Sequence, residues 1–163
     1  MPKWSEVDKE YMQRALKRRE NIEELYKKLL SNIKAKLPEL EALLKEISGE
    51  WAEIDCIYRY YHTSFKVYYI QNYTIKMVDM FKSIAPDDYP LNEDFMEIIK
   101  GGTGKEFEMK HNQEWGKHTR PLLEAFFHAK YFLSMIVRYS DLEEIPHCLP
   151  SGVAGLLYLY NLR

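Results

Sequence analysis

The sequence predicts an all-α, single-domain helical bundle with a long N-terminal amphipathic helix and a buried central helix over about 119–139. Three observations predict it. Val7, Tyr11, Ala15, Ile22, Leu25, Leu29 and Ile33 recur at spacings of three, four or seven residues, which lines them up along one helix face. A ladder at every fourth residue, from Ile57 and Tyr61 through Phe65, Tyr69, Tyr73 and Met77 to Phe81, crosses a stretch with no Gly or Pro. The segment after Thr119 is apolar on nearly every side, the pattern of a helix surrounded by neighbours.

Each element has its own signals. Ser5 is suited to cap the first helix, with Glu6 and Asp8 placed against the positive end of its dipole. Glu23 with Lys27 and Glu24 with Lys28 stand in the favourable i,i+4 order on its polar side. That helix is expected to reach about Lys36, where Pro38 kinks or restarts it. A second piece carrying Leu40, Leu43, Leu44 and Ile47 then ends at Ser48-Gly49. The stretch from Glu50 to Ile84 is rich in Tyr, Val and Ile, which favours strands. The fourfold ladder and the missing turn signal favour one long helix instead.

Pro86 and Pro90 mark a loop, and Asn92 caps a short helix through Lys100, stopped by Gly101-Gly102-Thr103-Gly104. Thr119 is expected to cap the central helix, with Pro121 in its first turn. Pro146 and Pro150 mark another loop, and Val153 to Leu162 reads as a last helix docked into the core.

The chain of 163 residues is the size of one domain, 1–163, with 46% hydrophobic and 29% charged residues. That is globular composition rather than disorder. A net charge of −2 argues against a broad basic surface for duplex DNA or anionic lipid, so nucleic acid is not an expected partner. Cys56 and Cys148 are the only cysteines, too few for a disulfide framework, and a reducing, cytoplasmic setting is expected. The charged first residues lack an apolar signal core. Apolar runs fall short of the roughly 18 residues that cross a bilayer, so neither export nor a membrane span is expected.

Several polar sets are candidates for chemistry. Gly-Gly-Thr-Gly-Lys at 101–105 invites a phosphate-loop reading, but Ile99 stands where the first Gly belongs and Glu106 where Ser or Thr belongs. Arg120, Glu124 and His128 stand four apart, along one side of the expected buried helix. Ionisable groups buried there would need partners, since an unpaired charge in apolar surroundings costs several kcal/mol, roughly. An internal salt bridge that fixes helix packing answers that need, and so does a functional pocket. Asp55, Arg59, His62 and Lys66 form a polar stripe on the Tyr-rich stretch, read first as a solvated face. If the two helices pack together, His62 could approach Glu124 and His128 and complete a Zn or Fe site.

Other sets are weaker. His111, Glu114 and His118 have helical spacing in a polar stretch weakened by Gly116. Glu114 to His118 and Glu124 to His128 are each one residue too long for the Glu-x-x-His repeat of ferritin-like di-iron bundles. Cys148 beside His147, and Ser151 before the last helix, lack the elbow motif of nucleophilic catalysis. Tyr58, Tyr60, Tyr61, Tyr68, Tyr69 and Tyr73 crowd one stretch with Arg59 and Lys66, a composition that suits an interface better than base stacking.

Two functional classes follow. The favoured one is a non-catalytic helical interaction or scaffold protein that self-associates, supported by the amphipathic N-terminal helix and the tyrosine-rich surface. The other is an enzyme or ligand-binding bundle. Its pocket would be lined by Arg120, Arg59, Tyr58, Tyr61 and Tyr131, with acid–base chemistry at Glu124 and His128 and a divalent metal (Zn or Fe) on His62, His128 and Glu124. A pocket of that kind requires Glu124 and His128 to be buried.

Overall fold

The computed structural model describes residues 6–49, 64–103 and 115–162. They form five α-helices: α1 (Glu6–Gly49), α2 (Ser64–Ile84), α3 (Glu93–Thr103), α4 (Trp115–Arg138) and α5 (Ser151–Leu159), with a single 3-10 turn at Pro86–Asp88. No strand occurs among the described residues. The protein is all-α, as the periodicity predicts.

The centre of the bundle is α4, which packs against α1, α2, α3 and α5. Leu122, Leu123, Ala125, Phe126, Ala129, Phe132, Leu133, Met135 and Ile136 are all buried along it. Nine buried residues in four turns cover well over half of its circumference, so no single neighbour can dry it. Phe95 of α3 meets Phe132 edge-on, with centroids 5.1 Å apart, and also contacts Phe81 of α2. These aromatic contacts tie three helices at one level.

Helix boundaries differ from the sequence expectation in three places, the first two for a packing reason. Pro38 does not divide the first helix: α1 runs unbroken for 44 residues with Pro38 inside it. The proline is exposed while Ile33, Leu40, Leu43 and Ile47 are buried, and apolar burial on either side outweighs the lost hydrogen bond. Gly101, Gly102 and Thr103 are the last turn of α3 rather than its stop. A Cβ on Gly101 would stand 3.3 Å from the Cβ of Pro121, so this glycine permits close approach of α3 to α4. Finally, α4 begins at Trp115, and Thr119 lies within it rather than capping it.

The ladder of α2 is realised where it is described: Tyr73, Met77 and Phe81 are buried, together with Ile70 and Ile84. Its upstream members Ile57 and Tyr61 lie outside the described residues. The C-terminal end of α2 is held by α1. Asn32 Nδ2 donates to the carbonyls of Ile84 and Ala85 at 3.2 and 3.4 Å. Lys28 Nζ donates to Asp87 at 2.7 Å. Asp87 and Asp88 have positive φ, a conformation short polar residues adopt more readily than most.

Asn92 joins α3 to α5. Its Oδ1 accepts from the Asp94 amide at 2.8 Å, the N-cap bond the sequence predicts. Its Nδ2 donates to the Tyr158 carbonyl and to Asn161 Oδ1, and its amide donates to the Leu159 carbonyl. The end of α5 closes as a Schellman motif, with Asn161 at φ 54° and Leu162 N–H donating to the Leu157 carbonyl at 2.9 Å. One side chain therefore satisfies the start of one helix and the end of another. Asn92→Ala is expected to lower the free energy of unfolding by about 2 kcal/mol, summing a lost cap and the two hydrogen bonds its Nδ2 donates to the end of α5. Urea denaturation measures it, and a loss below about 0.5 kcal/mol would show that the junction contributes little.

Two buried phenols make stability depend on alkaline pH. Burial pushes Tyr26 up to about 12, with the neighbouring Tyr139 adding to the rise. Burial also raises Tyr160, whose hydroxyl donates to the Phe81 carbonyl at 2.9 Å. The native state holds these protons at a pH where the unfolded chain has released them. Their contribution is complete below pH 10, the ordinary tyrosine value, and is lost as pH rises toward 12. Stability measured by urea denaturation is expected to fall between pH 10 and about 12, and to fall less steeply in Tyr26→Phe/Tyr160→Phe. Tyr26 Oη finds no hydrogen-bond partner among the described residues, so Tyr26→Phe at pH 7 should leave stability unchanged or raise it.

Candidate functional site

The sequence directs attention first to Arg120, Glu124 and His128. All three belong to α4, but Glu124 and His128 are exposed. The helix is buried over most of its circumference, not all of it, and these two side chains occupy the remaining strip. Their exposure removes the desolvation cost that burial would have imposed on them. The side chain of Arg120 lies outside the described residues, as do Tyr58, Arg59, Tyr61 and His62 entirely. The set of His62, His128 and Glu124 is thus described only in its α4 members, which face solvent. Among the described residues no group of three or more His, Cys, Asp and Glu side chains converges as a metal site.

Tyr131 is 57% exposed, its ring edge-on to Phe132 at 5.7 Å. Tyr73 is buried and donates to Glu46 on α1 at 2.9 Å, a packing role rather than a surface one. His111 and Glu114 lie outside the described residues. Ser151 opens α5 without a side-chain capping bond, and Cys148 is a free, exposed thiol in the preceding loop.

A different region brings residues together. The loop over 141–150 runs back against α1 and encloses a cleft of about 380 Å³. Ala15, Ile22, Ile145, Pro146, Leu149 and Leu157 supply its apolar surface, with Arg18, Arg19 and His147 among the polar residues around it. A smaller polar depression of about 160 Å³ adjoins it, where Glu23, Lys27 and Glu144 meet Arg19 and His147. Arg19 Nε donates to Glu23 at 3.1 Å. The cleft has no nucleophile held by a base, and its chemistry suits apolar side chains flanked by acidic groups.

The cleft lies at the base of a second feature. From Glu6 to Asn21 every residue of α1 is exposed. At about 1.5 Å per residue this arm extends roughly 24 Å. The apolar stripe of α1 does not stop where burial stops: Val7, Tyr11 and Ala15 continue the line of Ile22, Leu29 and Ile33. Val7 is 71% exposed, Tyr11 70%, Leu16 58% and Met12 48%. Eight large apolar side chains are exposed among the described residues. Four of them lie on this arm, and a fifth, Leu149, lines the cleft.

The stripe was legible in the sequence as helical spacing; its exposure was not. Spacing tells which residues share a face, and the length of the body decides how many of them are covered. The cleft was less legible still, because nothing in the local pattern of 141–150 says which helix that loop returns to.

No protein-family model, curated protein or solved structure matches this chain.

With Glu124 and His128 in solvent, Glu124→Gln and His128→Ala are each expected to change stability by less than about 1 kcal/mol, the scale of surface substitutions and surface ion pairs. Thermal melts check this. A loss above about 2 kcal/mol in either variant would restore the buried-pair account of α4.

Proposed function

We propose that this protein is a non-catalytic helical interaction protein that self-associates, and that the uncovered N-terminal turns of α1 are its contact surface. The observation that carries this reading is the continuity of one apolar stripe across covered and uncovered parts of the same helix. Ile22, Leu29 and Ile33 are half or fully buried against the body, whereas Val7 and Tyr11 have no described residue packed over them. Apolar side chains clustered on an exposed helix face mark an association surface more often than an inert one. An isolated helix of this length is marginal in water. Its exposed ion pairs, such as Lys9 with Glu6 at 3.7 Å and Arg14 with Glu10 at 3.8 Å, add only tenths of a kcal/mol each, roughly. Packing against a partner supplies what those pairs do not.

No described helix is long and apolar enough to cross a membrane, so insertion of a span does not account for the stripe. A free, exposed Cys148 fits a reducing compartment, and we place the protein in the cytoplasm on that ground. The enzyme reading has lost its main support with the exposure of Glu124 and His128.

The test is Val7→Ser/Tyr11→Ser/Met12→Ser/Leu16→Ser, which removes the large exposed apolar side chains of the arm, on the stripe and beside it, without touching the body. Light scattering across a concentration series is expected to show wild type larger than one chain and the variant at the mass of one chain. Their melting temperatures, extrapolated to low concentration, should agree. A wild-type chain that is monomeric to about 200 μM, well past the micromolar affinities of small interfaces, would overturn the proposal.

A further inference from the structure

We infer that two copies pair antiparallel through the α1 arms, each arm laying its acidic first turns on the basic turns of the other, beside the cleft. This rests on the self-association proposed above and adds the occupant's orientation and register. The arm's charges are segregated along its length. Glu6, Asp8 and Glu10 lie in its first two turns and Arg14, Lys17, Arg18 and Arg19 follow in the next two, with Lys9 and Glu20 on the side of the helix opposite the stripe. In the single chain Glu10 stands 3.8 Å from Arg14 and Arg19 3.1 Å from Glu23, exposed pairs of little strength that pairing of two copies exchanges or shares. Both groups belong to a surface exposed in the single chain.

Helical geometry then selects a register. At 3.6 residues per turn, Asp8 and Arg19 fall on one flank of the stripe, and Glu10 and Lys17 on the other. In an antiparallel pair, the same flanks of the two helices face each other. A two-fold axis between Gln13 and Arg14 sets Asp8 opposite Arg19 and Glu10 opposite Lys17, and the symmetry makes each contact twice. The same axis sets Tyr11 between Ala15 and Arg18 of the second copy and carries Val7 of the second copy toward Ile22 and the cleft. The two helix dipoles also oppose each other favourably.

A parallel pair fails on the same residues. Arg18 lies within the stripe between Ala15 and Ile22, and in a parallel pair it would meet its own copy, as would the acidic and the basic turns. Like charges in partly dried surroundings are costly. In the antiparallel pair the Arg18 guanidinium lies beside the partner's acidic turns. The arm is short, so the interface falls at the small end of the stable range and the affinity in the micromolar range.

Charge exchange in the full chain tests orientation separately from association. The two double variants are Asp8→Arg/Glu10→Arg and Lys17→Glu/Arg19→Glu, and the quadruple variant carries both. Sedimentation equilibrium of the wild type, both doubles, the quadruple and a 1:1 mixture of the doubles gives their dissociation constants. Each double alone is expected to dimerise at least about tenfold more weakly than wild type, the equivalent of about 1.4 kcal/mol. The quadruple and the mixture should return toward the wild-type value, and wild-type affinity should fall with added salt. Circular dichroism checks that each variant keeps its helix. A wild-type dimer whose doubles are unweakened overturns the antiparallel pairing and leaves self-association standing. So does a quadruple that stays as weak as the doubles. A monomeric wild type overturns both.

Discussion

A helix whose sides are nearly all apolar cannot stand at a surface, and in this protein α4 imposes that constraint on every other described helix. Phe126, Ala129, Leu133 and Ile136 lie at the centre of its covered surface, and α1, α2, α3 and α5 each take part of the circumference. The joints between those helices are then polar and specific. Asn92 serves the start of α3 and the end of α5, while Asn32 and Lys28 of α1 hold the segment that ends α2. Close approach is allowed by small residues where packing demands it. Gly152 lies so near the Tyr139 ring that an added Cβ would clash, and Gly101 meets Pro121.

The same constraint explains why α1 has two characters. Its lower part is one of the covers of α4, and its burial pattern there follows the helical period. Its upper part has the same period, but no described residue buries it: the cleft reaches only Ala15, Arg18 and Arg19, and the turns before them are exposed. The helix is continuous because each added residue extends an existing hydrogen-bonded column rather than nucleating a new one. The described body thus leaves the first part of this stripe exposed. The charges flanking that stripe are divided into an acidic and a basic stretch, which gives the surface a direction as well as an appetite for apolar contact.

Much of this was legible in the residues. The helical period of 7–33, the fourfold ladder from Tyr73 to Phe81 and the Asn92 cap are local features, and local features are what sequence states most plainly. Pro38 and Gly101 were misleading because their usual local meaning was overridden by contacts made far away in sequence. Glu124 and His128 misled for a related reason. An apolar composition shows that a helix is covered, but which strip stays wet depends on how many neighbours arrive and at what angles. The cleft beneath the 141–150 loop depends on chain return, for which no spacing rule exists.

If two copies pair as proposed, the first turns of α1 are bare in the single chain and covered in the pair. Hydrogen exchange of the amides over 6–21, followed as a function of protein concentration, reads this directly. The account predicts fast exchange in dilute protein and strong protection at high concentration, with the amides of α4 unchanged throughout. Protection of 6–21 that is the same at every concentration would contradict it.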